Sequence, residues 1–292
     1  MNYPSGREQF KSFSFVLPAF AIFAFFYIMP FFYTFWLALH RGSEISSLGF
    51  VGLSNFRDIL FHDKEWWASV GRSFYISFWA LTFQNFLAFI LALAVDKAVR
   101  TGKIYRVVFF LLPVLSEIII GLLVRNLLVP YPGVFNHFLH QIGLSSLAHD
   151  WLNNPDFALR TLAFTHCWRG FGWGFIILLA GLQTIPQELY EASRVDGANA
   201  FQRFTKITVP LLMPVIFLVI ILTILGTVQV IGLPMALTRG GPAGKTTVSV
   251  LKILNDLNNS HAGYASAEGL VLGFILICVS FSLLKISKKF KP

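Results

Sequence analysis

Within one long apolar stretch of the chain, His166, Arg169 and Trp173 stand at i, i+3 and i+7, so on a helix they share a stripe. Polar side chains are costly inside a bilayer and face a bundle interior or a water-filled cavity. Counting from Ala158, Arg169 sits about 16 Å along the helix, near mid-membrane. A tryptophan face stacks on a sugar ring, and an arginine or histidine binds hydroxyl or acidic groups. Arg169 equally suits a structural role, bonded to neighbouring carbonyls or to Glu117. In a later apolar run Thr223, Thr227 and Gln229 are further candidates for a pathway lining, although helical threonines often bond back to their own backbone. Ser77 and Gln84 share a face of an earlier run. Arg125 either snorkels to the outer interface or joins Arg169 in suiting an anionic solute. Gly170, Gly172 and Gly174 read as close helix packing.

Other chemistries find less support. Glu117 and Arg169 stand alone rather than in catalytic pairs, and no nucleophile–base pair can be assembled. His137 and His140 have helical ligand spacing and His149 follows, but no cysteine joins them, so no metal site is expected. Gly240-Gly-Pro-Ala-Gly-Lys-Thr246 lacks the spacing of a phosphate-cradling loop. Cys167 and Cys278 both fall in apolar stretches, which gives no disulfide framework.

The elements that position these residues follow from composition. Of 292 residues 55% are hydrophobic and only 13% charged, with a mean hydropathy of +0.67. A soluble surface needs more charge. A helix needs about 20 apolar residues to cross a bilayer, and six stretches qualify: about 13–39, 74–95, 107–129, 158–182, 207–231 and 265–284. The expected class is all-α, one polytopic membrane domain over 1–292. The first run is too long for a removable signal.

The net charge of +9 does not form a nucleic-acid patch, because the basic residues flank the apolar runs. Arg7, Lys11, Lys97, Arg100, Lys103, Arg106, Arg194, Arg203, Lys206, Lys285, Lys288, Lys289 and Lys291 fall on one side. The opposite connections hold only Arg41, Arg57, Lys64, Arg72, Arg239, Lys245 and Lys252. The positive-inside rule makes the first side cytoplasmic, with both termini there.

One cytoplasmic connection, 184–206, has unusual patterning. Thr184 and Gln187 have capping-box spacing, and Pro186 suits a first helical turn. Helix formers run to Val195, Gly197 interrupts them, and a second short helix should place Phe201 and Phe204 on one face. Pro210 and Pro214 mark the start of the fifth span. Two short helices joined at a glycine form either a projecting knob or an interfacial amphipathic loop.

This connection resembles the EAA loop of ABC importer permeases: Glu191, Ala192, Gly197, Ile207 and Pro210 fall in register, with Ser193 for the second alanine and Val209 for leucine. Phe50-Val-Gly-Leu-Ser-Asn-Phe56, Phe110-Leu-Leu-Pro113, Pro132-Gly-Val-Phe-Asn136, Ala180-Gly-Leu-Gln-Thr-Ile-Pro186, Asp196-Gly-Ala198, Leu237-Thr-Arg-Gly-Gly-Pro242 and Gly263-Tyr-Ala-Ser-Ala267 are similar, in order, to the maltose/glycerol-phosphate group of sugar permeases. The resemblance implies a type I importer permease of the bacterial inner membrane with no catalysis of its own. It implies a coupling helix made of Glu191, Ala192, Ser193, Asp196, Gly197 and Ala198, in which Glu191 makes the charged contact with a separate ATPase and Gly197 supplies the bend. The expected partners are a second permease, two ATPase subunits that carry ATP and Mg, an extracytoplasmic binding protein, a sugar and membrane lipid. A non-sugar solute is the alternative. A stand-alone secondary transporter would show an inverted repeat, and hydropathy gives none.

Overall fold

The computed structural model describes residues 16–42, 49–97, 102–129 and 133–290. Arg7, Lys11 and the expected start of the first span at Phe13 lie outside the described residues, as do Arg100, Pro132 and Lys291.

The chain divides into two compact units, Met1–Asp63 with Ile253–Leu272, and Lys64–Lys252 with Gly273–Pro292. In the first, α1 (Val16–Ala38) is a 23-residue apolar helix whose most apolar window buries nothing. A short antiparallel ladder, β1 (His40–Arg41) and β2 (Gly49–Phe50), pairs His40 with Phe50. It leads to α2 (Ser54–Phe61). Buried Asn55 donates from Nδ2 to the carbonyls of Ala38 (2.8 Å) and His40 (2.9 Å), tying α2 to the end of α1 and the start of the ladder. Tyr264 donates its hydroxyl to Asp63 at 2.9 Å.

The second unit is built around α7 (Pro155–Gln183), a helix of 29 residues and roughly 44 Å by helical rise. Its start is fixed by Asn154, whose side chain accepts from the Asp156 amide, with Pro155 in the first turn. Its end is fixed by Thr184, which donates its hydroxyl to the Gly181 carbonyl at 2.7 Å. That bond uses the Thr184 side chain inside α7, and the capping box expected between Thr184 and Gln187 is not made. Of the apolar helices α7 is the most enclosed: its window is 67% buried, against 28% for α3 (Lys64–Asp96) and 17% for α12 (Ala262–Ser287).

Small residues let neighbours close on α7. A side chain at Gly174 would stand 3.2 Å from Ala88 Cβ, and one at Gly181 2.8 Å from Leu212. Ala88, Ala92 and Val95 of α3 thereby meet Phe175, Leu178, Leu179 and Leu182 of α7, together with Leu212 and Val219 from the next long helix. Helix α9 starts as Ala200–Arg203, widens to a π-turn at Phe204–Thr208 and continues as Val209–Val228.

Where one span was expected over 107–129, the structure has two helices, α4 (Gly102–Val114) and α5 (Glu117–Leu128), bent by 89°. Pro113 lies inside α4, and Ser116 is extended (φ −56°, ψ 135°), so the hydrogen-bond ladder cannot continue across Leu115–Ser116. At Gly172 any side chain would overlap the Phe109 carbonyl and stand 2.7 Å from Pro113 Cγ, so α4 lies directly on the α7 backbone. Among the described residues, five helices are long and apolar enough to cross a membrane, or six if the bent pair is one span. The remaining named elements are α6 (Val134–Gln141), α8 (Gln187–Val195), α10 (Gly232–Leu237) and α11 (Ser249–Asn258). The fold is all-α and polytopic.

Candidate functional site

Two places in the second unit carry the functional candidates. The first is a cavity of about 420 Å³ lined by Gln84, Glu117, His166, Arg169, Gly170, Trp173, Gly174, Ile177, Val219, Leu222, Thr223, Gly226 and Thr227. The stripe His166, Arg169 and Trp173 reaches it from α7, and Thr223 and Thr227 reach it from α9. Gln229 does not: it is the exposed residue that ends α9, one position past the last helical turn.

The polar groups here are bonded across the bundle. His166 Nε2 and the Thr227 hydroxyl are 3.2 Å apart, and Thr223 donates to Asn85 Oδ1 at 3.1 Å. Thus neither threonine bonds back to its own helix at these distances. Arg169 donates from Nη1 to Glu117 Oε1 at 3.1 Å, and from Nη2 to the carbonyls of Pro113 and Leu115, both at 3.3 Å. Those carbonyls belong to the broken end of α4, where the intrahelical donors are missing. Arg169 is therefore a lining residue and a cap at once.

Glu117 completes the arrangement. It occupies the first turn of α5, where a carboxylate is favoured by the helix dipole, and its Oε2 accepts from the Gly232 amide, the first of α10, at 3.1 Å. Gly232 is needed there, since a side chain would stand 2.8 Å from Glu117 Cβ. Sequence reasoning named Glu117 only as a possible partner of Arg169. Its second role, joining α5 to α10 across 115 residues of chain, leaves no local signal except an acid in an apolar run shortly after a proline. Trp173, 52% exposed, meets the Phe110 ring at nearly a right angle (5.2 Å, 84°). Gln84 is buried with Oε1 unpartnered and faces Gly170, where a side chain would stand 2.7 Å from it. Buried Ser77 does not line this cavity, nor does half-buried Arg125.

The second place is an elbow between α7 and α9. Helix α8 ends in a left-handed glycine: Gly197 has φ +76°, the Ala198 amide donates to the Ser193 carbonyl (2.9 Å) and the Gly197 amide to that of Arg194 (3.1 Å). This is the Schellman pattern, which requires a glycine-like residue past the helix end. Asn199 then opens α9 with a reciprocal capping box: its side chain accepts from the Gln202 amide (2.9 Å), and its own amide donates to Gln202 Oε1 (2.8 Å). The capping box lies here, one helix later than the residues expected to form it. What was expected as a second short helix is the first turn of α9. Phe201 and Phe204 also part company, Phe201 being 74% exposed while Phe204 packs on Phe89 (6.1 Å between rings).

The elbow is tied at its root, where the Tyr190 hydroxyl and the buried Thr208 hydroxyl are 2.9 Å apart. Ser193 donates to the Tyr190 carbonyl at 2.8 Å. Outward it presents Glu191, Ala192, Asp196 and Gly197, all exposed, with Ala198 half-buried. Val195 is 88% exposed, an unusual state for an apolar side chain beside a charged segment.

The histidines lie elsewhere. His140 Nδ1 is 2.9 Å from the Ser145 hydroxyl, His137 is 3.0 Å from Gln141, and His149 stacks on Phe157 at 4.6 Å. Among the described residues no group of three His, Cys, Asp or Glu side chains is placed to hold a metal. Cys167 is buried in α7 and Cys278 is exposed on α12.

Comparison with known proteins supplies the frame for both places. Residues 10–291 match the family described as binding-protein-dependent transport system inner membrane component. The trehalose/maltose transport system permease protein MalF of Thermococcus litoralis is 34% identical over 279 residues, covering 95% of this chain and 92% of that protein. A bacterial ABC transporter involved in import of the acidic polysaccharide alginate has the same fold, with a TM-score of 0.83, 22% identity and 98% of each chain covered. The same holds for a bacterial alginate ABC transporter in complex with an alginate pentasaccharide-bound periplasmic protein: TM-score 0.83, 21% identity, 98% of this chain and 96% of that chain. The chain belongs to the binding-protein-dependent transport system inner membrane component family.

Proposed function

We propose that this inner-membrane permease subunit conducts a saccharide through the cavity beside α7, and that a separate ATPase drives it by seating on the elbow. The family is that of a transport subunit rather than a catalyst. The observation that carries the reading is the continuity of the elbow with α9: helix runs without interruption from Ala200 through the π-turn to Val228. A load on α8 passes through the Tyr190–Thr208 contact into a helix that lines the cavity with Thr223 and Thr227. Alternating access then amounts to two packings of the same helices, biased by nucleotide on the partner.

In this reading Glu191, Ala192, Ser193, Asp196, Gly197 and Ala198 form the coupling surface. His166, Arg169, Trp173 and Thr227 belong to the pathway, and exposed Gln229 belongs to its rim. Saccharide is favoured because the relative of Thermococcus litoralis, 34% identical, bears trehalose and maltose in its name. The assembly comprises a second permease, two ATPase subunits that bind ATP and Mg, and an extracytoplasmic binding protein. The lysine and arginine distribution supports placing both termini and the elbow on the cytoplasmic side.

The test is reconstitution of the complex in proteoliposomes with its binding protein. Oligosaccharides should stimulate ATP hydrolysis and amino acids should not. With Gly197→Pro, hydrolysis should lose its dependence on the loaded binding protein, because proline's φ near −65° cannot meet +76°. Undiminished stimulation in that variant would refute the coupling role.

A further inference from the structure

We propose that Glu117 is a specificity-determining residue that reserves the cavity for uncharged saccharide units and turns acidic ones away; the inference rests on the saccharide reading above. Of the residues lining the cavity, Glu117 and Arg169 are the two with formal charge, and they are paired at 3.1 Å. The pair is asymmetric. The Arg169 side chain is 13% exposed and that of Glu117 is 29% exposed, so the carboxylate is the member that a solute meets first.

The guanidinium has little left to offer. Nη1 is on Glu117 and Nη2 is on the carbonyls of Pro113 and Leu115. Nε is buried with no partner, beyond a solute's reach. An arginine binds an anion well through a two-pronged fork of donors, and here the fork faces protein acceptors. A uronate or sulfonate in the cavity would have to take Arg169 from Glu117, leaving a carboxylate in the membrane held only by the Gly232 amide, or else stand beside that carboxylate unpaired. Both arrangements are penalised. A hydroxyl-rich neutral ring meets no such conflict: it donates to Glu117, while the half-exposed Trp173 ring offers a face for stacking.

The experiment compares two solutes in the complete importer, reconstituted with its binding protein and ATPase subunits. The solutes are a neutral oligosaccharide and the uronate oligosaccharide of equal length, and the readout is the ratio of uptake rates. The same binding protein serves every permease variant, so a change in the ratio is due to the permease. The unaltered importer should favour the neutral solute by about tenfold or more, the scale set by a like-charge contact. Glu117→Gln should narrow that ratio by about tenfold, and Glu117→Asp, which keeps the charge, should preserve it. A merely structural role would lower both rates together and leave the ratio fixed, which would overturn the proposal. Uronate uptake equal to neutral uptake in the unaltered importer would overturn it as well while leaving the saccharide reading intact. Uptake of neither saccharide, with transport of some other solute, would overturn both.

Discussion

At the elbow the polar bonds that shape the backbone stay close in sequence: Asn199 to Gln202, Ala198 to Ser193, and at most the 18 residues from Tyr190 to Thr208. Around the cavity Arg169 reaches Glu117 across 52 residues, Glu117 reaches Gly232 across 115, and Thr223 reaches Asn85 across 138. The elbow can therefore keep its shape while apolar Val195 and Phe201 stay exposed, whereas the cavity exists only when four helices are already in place. In the proposed reading, the part that docks on a partner is thus set by local rules, and the part that handles the solute is set by the whole bundle.

This contrast can be broken or sharpened by substitution, ranked by expected loss of folded stability. Arg169→Ala leaves a half-buried carboxylate and two helix-end carbonyls without their donor, and should cost roughly 3–5 kcal/mol. Thermal unfolding of the purified complex would show it, and replacing Glu117 by Gln in the same chain should recover part of the loss. Gly172→Val places atoms on the Phe109 carbonyl and against Pro113, and should cost about 2–3 kcal/mol, read in the same assay. At the elbow, Gly197→Ala meets open space but a φ of +76°, so it should cost about 1 kcal/mol and leave the bundle's unfolding temperature almost unchanged. Global unfolding at the elbow variant as large as at Arg169→Ala would erase the distinction. Thr223→Val removes one inter-helix bond to Asn85, worth about 0.6 kcal/mol in a membrane. It should alter uptake kinetics more than stability.

The same distinction explains what could be read from the chain. Apolar runs, basic flanks and the Glu191–Gly197 spacing are local, so the sequence shows them directly. The stripe of His166, Arg169 and Trp173 is visible from periodicity, and the structure brings all three to the cavity. Gln229 escapes it because α9 ends at Val228, a boundary that apolarity alone does not mark. The break at Leu115–Ser116 needed more than Pro113, because Pro214 lies inside α9 without breaking it. The difference is that carbonyls freed at the first break are met by Arg169, and that partnership is invisible in one dimension. The displaced capping box shows a smaller version of the same problem, since Thr184 had the Gly181 carbonyl behind it and the Gln187 amide ahead of it and bonded backward to Gly181.

The widened turn at Phe204–Thr208 also fixes an angular setting. One residue more in a regular α-helix would advance it by about 100°, and the wide turn absorbs that residue, so the segment before Phe204 keeps its bearing relative to the side chains after Thr208. Tightening this turn to ordinary α-helix without removing a residue would leave both halves helical yet swing Phe201 and the segment before it to a different compass bearing, and in the proposed reading a lever aimed at its motor would point past it.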